Sequence, residues 1–159
     1  MGGEIEARLK SLGYELPPAP PAVANYVPYV VSGDLLYVSG QLSKAADGSM
    51  ITGRLGSGPG AGLAVEDGYK AAQLSALNIL AQAKAALGDL GRIGQVLRLN
   101  GFVAATADFT EHPKVVNGAS DLIGSVLADA GKHTRVAVGV PSLPMNAAVE
   151  VDAVMRIRG

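Results

Sequence analysis

The stretch Thr134 to Arg158, TRVAVGVPSLPMNAAVEVDAVMRIR, decides how this chain is read. Its first part alternates Val136, Val138 and Val140 with Arg135, Ala137 and Gly139, and its second alternates Val149, Val151 and Ala153 with Glu150 and Asp152. Strand geometry sends alternate residues to opposite faces, so the pattern predicts two strands joined by the loop at 141–146. The valines form the expected core face. In the simplest antiparallel register Val140 faces Ala147, which sets Arg135 against Asp152 and Ala137 against Glu150. A cation and two carboxylates then share one face above a floor of small residues. Read from the pattern alone, that is a cross-strand ion pair on a solvated face, a weak contributor to stability.

Size and composition narrow the alternatives. A chain of 159 residues fits one domain with a real core. With 48% hydrophobic and 17% charged residues it is too apolar for disorder, and so low a charge fraction points to surface covered by partner subunits. The net charge of −1 supplies no cationic track for DNA or RNA. Cysteine is absent, which removes disulfides, thiolate chemistry and cysteine-ligated metals. His112 and His133 lack the spacing that sets two imidazoles on one metal, and read as surface or capping residues. The N-terminal residues include Glu4, Glu6 and Arg8, unlike a signal peptide, and no apolar run approaches a membrane span. A cytoplasmic protein without membrane association is expected.

Upstream, Ile5, Leu9 and Leu12 recur at helical spacing between Gly3 and Gly13, and Pro17, Pro18, Pro20 and Pro21 then impose an extended connector. Residues 1–24 thus form an N-terminal helix and tether, and 25–159 the main domain. Asn25–Val31 and Leu35–Gln41 form a predicted hairpin around Ser32, Gly33 and Asp34. A turn at Asp47 and Gly48 leads to a short third strand within Met50–Leu55. The glycine-dense run 56–62 lacks the Gly-Lys-Ser/Thr ending of a Walker loop and follows no buried strand, so it reads as a loop rather than a nucleotide site.

Val65–Leu87 is the longest helix signal; its stripe of Tyr69, Ala72, Ala76, Leu77, Leu80, Lys84 and Leu87 is apolar except at Lys84, and Gly88 ends it. Ile93–Ala104 reads as a strand with a bulge or bend at Asn100 and Gly101. A second main helix starts at Pro113 and runs to Ala130; the weak helix formers Asn117, Gly118 and Ser120 near its start are placed to cap or line something. These elements make an α+β domain: a mixed sheet with two helices packed on one face. So short a chain leaves the other sheet face uncovered, and layer counting predicts oligomerisation.

Several residues together carry a family likeness. Ser39-Gly40-Gln41, Asn117, Arg135, the Val140-to-Pro144 segment VPSLP, and AVEVDA from Ala148 to Ala153 resemble the YjgF family, also called the Rid or reactive intermediate deaminase family, in the same order from about Asn25 onward. The resemblance implies a chorismate-mutase-like fold assembled as a homotrimer, its sheets forming an inner barrel, with clefts between subunits. It implies cofactor-independent, metal-free hydrolysis of enamines and imines such as 2-iminopropanoate to 2-keto acids and ammonia. By resemblance Arg135 binds the substrate carboxylate, Glu150 handles water or protons, and Tyr29, Ser39, Gly40 and Asn117 line the cleft. The family also includes ribonucleases, translation inhibitors and proteins without demonstrated activity, so the alternatives are a non-catalytic trimeric carboxylate-binding or regulatory protein and, less favoured because the composition offers no cationic track and few aromatics, an endoribonuclease or translation inhibitor. Ala137 stands where better-known deaminases often have cysteine, and the N-terminal helix and proline connector extend the minimal family chain.

Overall fold

The computed structural model describes residues 3–159; Met1 and Gly2, part of the expected N-terminal segment, lie outside the described residues. Helix α1 (Glu4–Ser11) ends before Gly13, whose φ of 88° is a left-handed value that glycine adopts without strain. Residues 15–22 follow without regular structure, as the four prolines require. Strands β1 (Tyr29–Ser32) and β2 (Leu35–Leu42) form the expected hairpin, closed at Gly33, but β1 begins at Tyr29 rather than at Asn25. The third strand is shorter than expected: β3 (Arg54–Leu55) pairs in parallel with β4 (Ala61–Leu63), and the glycine run is their connection.

Helix α2 (Val65–Leu87) has the predicted bounds and stops at Gly88, φ 77°. Its buried surface is far wider than one stripe, because every residue from Ser75 to Ala83 is buried. The connector, α1 and the end of β2 all reach its polar side chains. Gln82 donates to Pro20 O at 2.5 Å, Gln73 to the Tyr14 hydroxyl at 2.8 Å, and Asn78 to Leu42 O and Lys44 O. Gln82 and Asn78 thereby hydrogen-bond backbone carbonyls of the connector and of the segment that closes β2. Strand β5 (Ile93–Ala104) follows, then α3 (His112–Leu127) and a 3₁₀ turn at Ala128–Gly131. The apolar residues of α3 at 115, 116, 119, 122, 123, 126 and 127 are buried against α2 and the sheet.

The C-terminal strands correct the hairpin reading. Strands β6 (Thr134–Val140) and β7 (Val149–Ile157) do not pair; the sheet order is β1-β2-β7-β5-β6, with β5 between them. Helix α3 is a crossover from β5 to β6, and such a connection makes the two strands parallel. The free edge of β5 then takes β7 in antiparallel pairing, and β2 covers the other edge of β7. The 141–148 link can bridge the end of β5 because it carries two prolines and left-handed Met145 (φ 57°) and Asn146 (φ 59°) rather than a tight hairpin turn. No bulge lies at Asn100 and Gly101; register shifts fall at Ile93/Gln95 and Val96/Arg98. Gly101 is instead a contact point, since a Cβ there would lie 2.6 Å from a methyl of Val116 on α3.

With β5 in the middle, the faces change too. Leu99 pairs with both Arg135 and Ala153, so these three share the helix side, while Phe102 pairs with both Val138 and Glu150 on the opposite side. Val136 and Val138 therefore belong to the face without helices and are exposed, together with Val30 and Tyr37. The expected valine core of β6 is inverted. In β7 the reading holds, with Val149, Val151, Ala153 and Met155 all buried beneath the helices. The architecture is the expected α+β mixed sheet with α2 and α3 on one face.

Candidate functional site

The residues singled out in the sequence gather in two groups, one on each side of the sheet. The first surrounds Arg135. As the second residue of edge strand β6 it points toward α3, where Nη1 donates to Ser120 Oγ at 3.1 Å and Nη2 to Pro113 O at 3.2 Å. Asn117 stands one helical turn from each of these partners, on the same face of α3. Among the described residues Arg135 is in no ion pair, and the expected partner Asp152 is two strands away. A guanidinium has five N–H donors, so two anchoring bonds leave donors for a ligand. The parallel fork of these donors matches a carboxylate.

The second group lies on the helix-free face. The irregularity between Val38 and Gln41 in β2 brings Gly40 against β7, and a Cβ at Gly40 would lie 2.9 Å from the carboxyl carbon of Glu150. The missing side chain makes room for that carboxylate. Glu150 is half-buried, and its pKa is raised first by desolvation and then by the neighbouring charge of Asp152. Asp152 is also shifted upward by burial, against the pull of its hydrogen bond with Asn100 and the charge of Arg98. Asn100 Nδ2 donates to Asp152 Oδ1 at 2.7 Å, so Asp152 has the structural partner that Arg135 was expected to supply.

Ser39 and Tyr29 divide differently. Ser39 donates its hydroxyl to Val27 O at 2.7 Å, tying β2 to the segment before β1. Tyr29 pairs with Val38 and packs against the core cluster, so its ring is on the helix side. Both border a shallow depression of about 340 Å³ that also includes Gly40, Asn100 and Asp152. Thus Gly40 and Glu150 are in contact and Asn117 is on the face of α3 that meets Arg135, but within one chain Arg135 and Glu150 are separated by the sheet.

Ser120, expected only to cap or line something, and His133, read as a surface or capping residue, are both neighbours in the Arg135 group. Ser120 Oγ lies 2.8 Å from His133 Nε2, and His133 Nδ1 lies 2.6 Å from Gly131 O. His133 precedes Arg135 by two residues, a spacing that puts both on one side of an extended chain, and this was the signal available. The other histidine, His112, opens α3; it meets Phe109 edge-on and covers Gly139, where a Cβ would lie 2.4 Å from its Nε2. Gly118 does not line the site: its Cβ would fall 2.0 Å from Tyr69 O, so glycine there permits α2 and α3 to touch.

Known proteins with this fold and sequence can now be set beside these features. The model of the YjgF/chorismate mutase-like family, which carries an endoribonuclease description, matches residues 6–155. Protein TCP17 of Trypanosoma cruzi is 49% identical over 156 residues, covering 98% of this chain and 95% of that protein. The crystal structure of Atu1372 from Agrobacterium tumefaciens, a protein of unknown function, superposes with a TM-score of 0.87 at 52% identity, covering 96% of this chain and 93% of that one. RidA from an Antarctic Psychrobacter is more distant, with a TM-score of 0.59 and 27% identity over 87% of this chain and 94% of that one. The likeness read from Arg135, Glu150 and the residues around them therefore extends through sequence and fold alike, and the chain belongs to the YjgF/chorismate mutase-like family.

Proposed function

We propose that the protein is a cofactor-independent deaminase that hydrolyses small imines or enamines bearing a carboxylate, at clefts between the subunits of a homotrimer. The observation that carries this reading is Arg135, anchored through Ser120 and Pro113 with donors to spare and no carboxylate partner among the described residues. Membership in a family that includes RidA supports it. Because Arg135 and Glu150 are on opposite faces of one sheet, a cleft that uses both takes them from different subunits. The exposed Val30, Tyr37, Val136 and Val138 form the apolar face that such packing would cover.

The chemistry follows from the charges. Two parallel N–H bonds from Arg135 hold the carboxylate and fix the adjacent C=N carbon. Glu150 takes a proton from water as its oxygen bonds to that carbon, and the proton passes to nitrogen. The resulting tetrahedral carbon carries a hydroxyl and an amine; Glu150 takes the hydroxyl proton and passes it to the amine nitrogen, so that the C–N bond breaks with release of ammonia as the C=O bond of a 2-keto acid forms. A carboxylate raised above its ordinary range is better matched to both transfers near neutral pH.

The test is keto-acid release from 2-iminopropanoate generated in situ. Wild type should accelerate it, and Arg135→Ala and Glu150→Gln should each reduce the acceleration by about 100-fold or more. No acceleration by wild type, with pyruvate still bound, would replace this reading with a carboxylate-binding protein.

A further inference from the structure

Arg135 is held by a chain of contacts that begins in the turn after α3. Gly131 is buried, and a Cβ on it would lie 2.5 Å from Ile123 O, so the turn is packed directly on the helix. Its carbonyl oxygen lies 2.6 Å from His133 Nδ1. A carbonyl can only accept, so Nδ1 carries a proton, and in the neutral imidazole Nε2 is then the acceptor. With the imidazole neutral, Ser120 donates its one hydroxyl proton to Nε2 across 2.8 Å, which turns its lone pairs toward Arg135 Nη1 at 3.1 Å.

We propose that His133 and Ser120 are positioning residues for Arg135, fixing the guanidinium in the orientation that receives a ligand carboxylate. A serine inside a helix ordinarily turns its hydroxyl toward the carbonyl four residues earlier, here that of Val116. His133 offers a stronger acceptor from outside the helix and holds the hydroxyl away from that default. Without it the Ser120 proton returns to the helix and the lone pairs rotate off Arg135. The guanidinium then keeps only Pro113 O and must be ordered by the ligand itself.

Ser120 and His133 also have the geometry of a nucleophile and its base, but the surroundings favour positioning. Ser120 is in the interior of α3, where the backbone N–H groups are committed to the helix, so no pair of amides is left to receive an oxyanion. Its oxygen is in addition already engaged by Arg135.

The inference rests on the carboxylate-binding role of Arg135, and calorimetric titration with pyruvate separates the two. Ser120→Ala and His133→Ala should weaken pyruvate binding by roughly three- to tenfold, the range expected when one long side chain must be ordered by its ligand. Ser120→Thr keeps the hydroxyl and His133→Gln keeps an acceptor at the place of Nε2, so both should restore most of the affinity. Melting temperatures, measured alongside, show whether each variant is folded. If Arg135→Ala abolishes binding while Ser120→Ala and His133→Ala bind as wild type does, the positioning role is wrong and the carboxylate site stands. If wild type does not bind pyruvate, or Arg135→Ala binds it equally well, the carboxylate reading falls and the positioning role falls with it. Should Ser120→Ala fail to fold, the contrast between His133→Ala and His133→Gln decides.

Discussion

Arg135 and Glu150 occupy opposite faces of the same five-stranded sheet, Arg135 beneath α3 and Glu150 against Gly40 on the face without helices. If both act in one cleft, two chains must supply them, and subunit mixing tests this. Arg135→Ala and Glu150→Gln should each be inactive alone. Unfolded together in equal amounts and refolded, they should recover about one quarter of wild-type activity, because random pairing of subunits around a closed ring leaves one cleft in four with both groups intact. Recovery no greater than the sum of the separate variants would mean that the two residues do not meet between subunits.

Gly40 and Gly118 should respond in opposite ways to alanine. At Gly40 the added methyl meets the flexible end of Glu150, 2.9 Å away, which can swing aside. Stability should change by less than about 1 kcal/mol while imine hydrolysis falls, since the displaced group is the proposed acid–base. At Gly118 the methyl falls 2.0 Å from the backbone oxygen of Tyr69, and two helices have to separate. Denaturant unfolding should show a loss of about 2 kcal/mol or more. Equal stability losses at the two sites would contradict the distinction between a yielding side chain and a rigid backbone.

The upward shifts at Glu150 and Asp152 set a sign for stability against pH. For a group whose folded pKa exceeds its unfolded one, the folded state binds the proton more tightly, so the contribution is present below the unfolded value and lost as pH rises through the folded one. Burial is the main cause at both positions, so ionisation works against folding there. Glu150→Gln should therefore gain stability relative to wild type as pH rises from about 4 toward neutrality. Urea unfolding of the pair across that interval measures the difference, and a constant or shrinking gap would mean that Glu150 is not penalised by its surroundings.

The residues that could be read correctly in the sequence are those whose environment is set locally. The bounds of α2 follow from a helical apolar period with a glycine at its end, and the inward set of β7 from strict alternation beneath two helices. The pairing of β6 could not be read in the same way. Its alternation of Arg135, Ala137 and Gly139 with three valines is clear, but an edge strand that exposes valines looks the same as one that buries them. The difference is made by α3, which puts β6 on the far side of β5 and turns its small residues toward the helix. For the same reason the partners of Arg135 are not legible in the sequence, since Ser120 and Pro113 reach it through a crossover and not through a neighbouring strand.

Lys84, the one charged position in the apolar stripe of α2, finds its explanation in α1. Its Nζ lies 2.5 Å from Glu6 Oε1, and both side chains are largely shielded. The Glu6 oxygens make no well-directed hydrogen bond, so the pair rests on charge contact between two partly desolvated groups. Nearby, Leu9 is fully buried and Arg8 donates to Val126 O at 2.8 Å, which holds α1 across the helical layer. Removing one charge strands the other: Glu6→Leu and Lys84→Leu should each destabilise by about 1–3 kcal/mol. The double variant replaces the pair with apolar contact and should recover most of that loss. A double-mutant cycle by chemical denaturation reads the coupling directly. Additive losses would show that Glu6 and Lys84 act independently of each other and that no ion pair between them holds α1.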